Sequence, residues 1–162
     1  MVNDSLLAVF RKLCKGELCW PLVLNGPTGS GKTCASLALI DHVLSGEFLT
    51  EAQFYENLNA RRDGGGLQDL WRQITKAELF VMDEFKVRSN PTAFQFESIL
   101  RFLETRTARP TIITMNTGFD TSGKLLTDIA RVYDDRIASR LSAGTIFFLK
   151  GDDLRLKPKL PR

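Results

Sequence analysis

Residues 26–33 read GPTGSGKT, and this string constrains the fold more than any other feature of the chain. Two glycines flank four residues, and a lysine precedes a threonine. Glycine there lets the backbone curl until successive N–H groups, here from about Thr28 to Thr33, point into one concavity that binds phosphate oxygens. The helix that follows adds its partial positive charge. The expected nucleotide-binding set is Gly26, Pro27, Thr28, Gly29, Ser30, Gly31, Lys32, Thr33 and Cys34. Lys32 should reach the β- and γ-phosphates of ATP, and Thr33 should place its hydroxyl on Mg²⁺. This mechanism requires a strand ahead of the loop and a helix behind it. WPLVLNG supplies a short apolar strand, and SLALIDHVL places apolar groups at three- and four-residue steps, predicting a helix from Lys32 to about Leu44.

The alternation continues along the chain. A helix is expected over 5–14, with Leu6, Val9, Phe10 and Leu13 on one face and Gly16 as its stop. Residues 50–58, TEAQFYENL, read equally as a short strand or a helix start, whereas 67–77 have a clear helical period. ELFVMDEF reads as a buried strand. Asn90 before Pro91 matches an N-cap with proline at the first helical position, opening a helix to about Thr105 that buries Phe96, Ile99, Leu100 and Leu103. TIITMN is the next strand, 123–142 hold one or two helices, and TIFFLK at 145–150 is the last strand. Four apolar strands between helices, with 50–58 as a possible fifth, imply βαβ units and a parallel sheet covered on both faces.

Length and composition agree with one such unit. The chain has 162 residues, 43% hydrophobic and 25% charged, ordinary values for a globular domain. Its 22 basic against 19 acidic residues leave +3, so any basic surface must be local. Three cysteines without a CxxC pair indicate neither a disulfide framework nor a zinc site. MVNDSLLAVF lacks the basic start of a signal peptide, and no apolar run approaches a membrane span. The expectation is a soluble, cytoplasmic protein with a core over 1–150 and a short basic, poorly ordered tail over 151–162.

LFVMDEF ends an apolar strand on two carboxylates. Ligands of open α/β sheets bind at that strand edge, so Asp83 and Glu84 are expected beside the phosphate loop. Asp83 would help hold Mg²⁺ through its water shell, and Glu84 would orient and polarise the attacking water. TIITMNT repeats the layout, which makes Asn116 a candidate to hydrogen-bond the γ-phosphate or that water.

The order of these elements resembles the AAA+ ATPases, most closely the helicase-loader and transposition-helper branch of DnaC and IstB type. GPTGSGKT, AELFVMDEF, ILRFLETRTARPTIITMNT and DDRIASRLSAG carry the resemblance, from about Ser5 to Arg155. It implies a five-stranded parallel sheet of P-loop type, with Glu84 as catalytic glutamate and Asn116 as first sensor. It also implies an arginine finger, Arg140 first and Arg136 second, acting in trans on the nucleotide of a neighbouring subunit, so that hydrolysis needs a homo-oligomer. The plain alternative has both arginines solvated or paired with Asp134 and Asp135. The implied partners are a replicative helicase or a transposase, and single-stranded DNA. Two departures stand out: the chain leaves no room for a full helical lid after Lys150, where Arg155 could stand in for the second sensor, or for an amino-terminal partner domain ahead of Ser5.

In the resembling family the stretch between loop and acidic strand lies toward the pore that passes DNA. Arg61, Arg62, Arg72 and Lys76 could therefore contact backbone phosphates, with Trp71 stacked on a base; equally, Trp71 could be core and the arginines solvent. Two other function classes remain open, a small P-loop kinase and a nucleotide-gated binding module with little turnover. A GTPase is disfavoured because no NKxD string is present.

Overall fold

The structure, a computed structural model, describes residues 4–62, 65–87, 90–117 and 121–150. In chain order the elements are α1 (Asp4–Cys14), β1 (Leu22–Asn25), α2 (Lys32–Ile40), β2 (Gly46–Thr50), α3 (Glu51–Arg62), α4 (Leu67–Lys76) and β3 (Leu79–Phe85). Then follow α5 (Ala93–Thr105), β4 (Thr111–Met115), α6 (Ser122–Val132), α7 (Asp135–Ser142) and β5 (Thr145–Phe148). The strands form one sheet in the order β2-β3-β4-β1-β5, and every pairing is parallel.

The burial of each strand follows from its place in that order. Every residue of β1 and β4 is buried, and in β3 only Glu84 is not, as expected where helices cover both faces of interior strands. The edge strands β2 and β5 are only half-buried. Alternate residues feed two cores. Leu22, Leu24, Leu79, Val81 and Ile112 pack with α1 and α2 on one face, whereas Val23, Phe80, Met82, Ile113 and Met115 pack with α3 to α7 on the other. Among the described residues no helix is long and apolar enough to cross a membrane. The proposed basic tail, 151–162, lies outside the described residues.

Three expectations need correcting. Helix α2 ends at Ile40 rather than near Leu44, because the chain must turn so that Ser45 O can accept the Glu78 N–H (2.8 Å) as β2 enters the sheet. Leu44 is left fully exposed. The fifth strand is GEFLT, just ahead of the ambiguous stretch, and 51–58 is helical. Thr50 and Gln53 exchange side-chain-to-backbone hydrogen bonds of 3.1 and 2.9 Å, the reciprocal pair that opens a helix. Finally, α5 is capped by Thr92 and Gln95 in the same way, and Asn90 and Pro91 lie outside it. Its fully buried apolar residues are Ile99, Phe102 and Leu103, while Phe96 and Leu100 are half-buried.

Candidate functional site

The loop between β1 and α2 is built on two backbone constraints. Gly29 and Gly31 sit at φ 80° and 89°, where side chains with a Cβ are strained. Gly26 lies so close to β5 that a Cβ there would overlap the Leu149 carbonyl oxygen. Gly31 caps α2 with no side-chain hydrogen bond, so the first N–H groups of α2 are left for a ligand. Lys32 is 5% exposed, and its ammonium donates to Gly26 O (2.9 Å), Pro27 O (2.6 Å) and Ser30 Oγ (3.2 Å). The loop thus holds its own lysine through two carbonyl oxygens and a hydroxyl.

A cavity of about 500 Å³ opens here. Thr28, Gly29, Gly31, Lys32, Thr33 and Cys34 form one wall, and Glu84, Lys86, Thr114 and Asn116, from the ends of β3 and β4, form the other. Gly26, Pro27 and Ser30 do not line it and serve instead as the acceptors for Lys32.

One threonine organises the acidic wall. Thr114 Oγ1 donates to Asp83 Oδ1 (2.5 Å) and accepts from the Glu84 N–H (2.9 Å), tying both carboxylate residues to β4. Asp83, 3% exposed, also accepts from Thr33 Oγ1 at 2.9 and 3.2 Å. Loop hydroxyl and strand carboxylate therefore meet, two hard oxygen donors of the kind that suit Mg²⁺ with its water shell. Glu84 sits at φ 57°, and the β3–β4 register shifts between Met82 and Phe85. This bulge turns Glu84 out of the strand alternation and leaves it exposed on the cavity wall, while Asp83 and Phe85 stay buried. Behind it, Asn25 Nδ2 donates to Thr117 Oγ1 (2.7 Å), and the Thr117 N–H donates to Asn25 Oδ1 (3.2 Å), joining the ends of β1 and β4 beside Asn116.

Thr114 and Lys86 escaped the sequence reading. Thr114 sits two positions ahead of Asn116 inside an apolar strand, where a threonine reads as an ordinary β-former. Lys86 follows the acidic pair with no motif to mark it.

The candidate arginines lie elsewhere. Neither Arg136 nor Arg140 lines the cavity. Arg140 pairs with Glu104 of α5 (2.6 Å) and donates to Arg136 O (3.1 Å). Arg136 pairs with Asp134 (3.1 Å) and lies 5.2 Å over the Phe96 ring. Its hydrogen bonds hold the Asp134 carboxyl below the usual range, and Asp134 in turn caps α7.

The proposed DNA contacts divide. Trp71 is 8% exposed, with Phe54 edge-on at 6.0 Å and the Arg101 guanidinium 4.2 Å over its ring. That burial favours the core alternative for Trp71 over stacking on a base. Arg62, Arg72 and Lys76 are exposed and Arg61 is half-buried; Arg72 is paired with Asp69 at 2.8 Å. Arg155 lies outside the described residues.

The profile of the IstB-like ATP binding protein family matches residues 17–161. The chain belongs to this family. Three solved structures share its fold. The DnaC helicase loader superposes with a TM-score of 0.77 at 19% identity, over 91% of this chain and 89% of that one. DnaI gives 0.68 at 17%, over 91% and 84%. The replication initiator DnaA bound to AMPPCP and single-stranded DNA gives 0.74 at 16%, over 93% of this chain but only 46% of that one. No curated protein matches the chain in sequence. This IstB-like chain is thus an ATP-binding protein with the AAA+ core fold of the DnaC type.

Proposed function

We propose that the protein hydrolyses ATP as an assembly and uses it to act on DNA or on a DNA-bound partner, as a replicative helicase loader or a transposition helper. The observation that carries this is the composition of the cavity. It holds Lys32, Glu84 and Asn116, and among its described lining residues there is no arginine. The charge that develops on the γ-phosphate would therefore be met by a finger from another subunit, and the two candidates stand on α7, Arg136 exposed and Arg140 half-buried. Their ion pairs are surface pairs of the kind worth little, so a neighbour's phosphate can displace them. Thr33 and Asp83 would hold Mg²⁺, which neutralises phosphate charge, and Glu84 would accept the proton of the attacking water. The IstB-like family and the DnaC and DnaA neighbours, a helicase loader and a single-stranded-DNA-bound initiator, support the DNA-directed role.

The test is the ATPase rate against protein concentration, with and without single-stranded DNA, for the wild type, Glu84→Gln and Arg140→Ala. The expected result is a specific rate that rises with concentration and with DNA, and that both substitutions abolish. A rate independent of concentration and untouched by Arg140→Ala removes the trans finger. Transfer of phosphate to a small acceptor by a monomer would replace the reading with a kinase.

A further inference from the structure

We propose that Lys86 is a second phosphate-binding cation of the nucleotide site, directed at the terminal phosphate, so that it makes the site prefer a triphosphate over a diphosphate. The inference rests on the cavity being the ATP site. Among the described residues two cations line that cavity, and their situations differ. Lys32 is buried in the loop with its three donors on Gly26 O, Pro27 O and Ser30 Oγ. Lys86 is exposed on the opposite wall, and its ammonium has no hydrogen-bond or ion-pair partner among the described residues.

Its position is held by backbone and packing rather than by its own charge. The Tyr133 hydroxyl donates to Lys86 O at 2.8 Å, and the Tyr133 ring stacks on Phe85 with centroids 5.8 Å apart. Phe85 is buried at the end of β3. The segment just after the acidic pair is thereby pinned to α6 at Tyr133, its C-terminal cap, while the four-carbon stem of Lys86 can swing into the cavity.

A nucleotide seated on the loop gives its inner phosphates to the Thr28–Thr33 amides and directs its last phosphate toward the strand ends. That wall carries Glu84, with Asp83 buried next to it in β3, two acids that repel a phosphate. Lys86 is a cation on the same wall that offsets them. A diphosphate, which does not extend that far, would gain little from it. A charge-assisted bond of this kind corresponds to roughly tenfold in affinity or more.

The test uses calorimetric titration of the full chain with AMPPCP and with ADP, for the wild type, Lys86→Met and Lys86→Arg. Lys86→Met removes the charge and keeps the stem, and is expected to weaken AMPPCP about tenfold while ADP stays within about twofold; Lys86→Arg should recover most of the loss. Equal weakening of both nucleotides, or of neither, overturns the proposal while leaving the nucleotide site intact. Failure of the wild type to bind either nucleotide would overturn the site itself. A Lys86→Met protein that no longer melts cooperatively while Lys86→Arg does would assign the lysine a structural role instead, and so also overturn it.

Discussion

Glu84 occupies the left-handed backbone region at φ 57°, which costs a residue with a Cβ about 1–2 kcal/mol. Such strain is kept where function needs the side chain aimed against the regular geometry. Here the bulge takes Glu84 from the buried alternation of β3 to the cavity wall. Glu84→Gly should raise thermal stability by about 0.5–1 kcal/mol while abolishing hydrolysis, measured by melting and phosphate release on the same sample. Glu84→Gln should keep nucleotide affinity and lose turnover by roughly 10²-fold or more.

A second residue-scale feature is Arg106, 2% exposed. Its guanidinium donates to Thr111 Oγ1 (3.1 Å), Ile74 O (3.0 Å), Ala77 O (2.7 Å) and Pro110 O. Ile74 and Ala77 lie at the C-terminal end of α4, where the helix dipole is negative, and Arg109 adds a bond to Thr75 O (2.8 Å). Burial, with the like charge of Arg109, lowers the Arg106 pKa to about 10, still well above neutral pH, so the charge is kept. Arg106→Met should leave these carbonyls unpaired and cost at least about 3 kcal/mol in denaturant unfolding. Arg106→Lys should recover little, since an ammonium cannot span acceptors spread over a planar fork.

At the scale of elements, helix ends were decided by short side-chain motifs. Thr50 with Gln53 and Thr92 with Gln95 both make the reciprocal bonds of a capping box. The T-x-x-Q spelling was present in the sequence, but Asn90–Pro91 offered an equally good local signal for α5. Only the bonds actually formed distinguish them. Thr92→Ala should lower stability by about 1 kcal/mol, whereas Asn90→Ala should change it little, as thermal or denaturant melts will report. The α7 cap adds a pH effect. Asp134 has a carboxyl pKa lowered by its bonds from Arg136, so its contribution is present above the usual aspartate range and is lost as pH falls through its lower folded value. The effect should be small because the pair is exposed.

Interior strands were legible because burial on both faces demands continuous apolar runs, as in LFVM and TIIT. Strand β2 was not. GEFLT is short, opens on glycine and is half-buried along its length, so it carries neither an alternating nor a continuous apolar pattern.

At the scale of the molecule, activity is expected to depend on assembly. Arg140 is held in cis by Glu104 at 2.6 Å with both side chains partly exposed, and it stands outside the cavity between loop and acidic strand ends. Arg140→Ala should leave nucleotide binding unchanged while reducing the concentration-dependent ATPase rate by about 10³-fold or more. Mixing it with Glu84→Gln protein provides the decisive check. Each variant alone should be inactive, and the mixture should regain part of the rate, because a subunit with intact Glu84 can sit beside one with an intact finger.

The sequence by itself determined the glycine-rich loop between β1 and α2, the acidic strand end and the α/β alternation. These are local: the glycine conformations of GPTGSGKT, the carboxylates closing LFVMDEF and the apolar strand runs are properties of a few consecutive residues. Tertiary structure alone decided the strand order, the clamp of Thr114 on Asp83 and Glu84, the placing of Lys86 opposite Lys32 and the burial of Trp71 and Arg106. Each of these depends on residues far apart in the chain, about 30 positions for Thr114 with Asp83 and for Arg106 with Ala77, through contacts that exist only once the strands have settled side by side. No spacing rule along the chain encodes them.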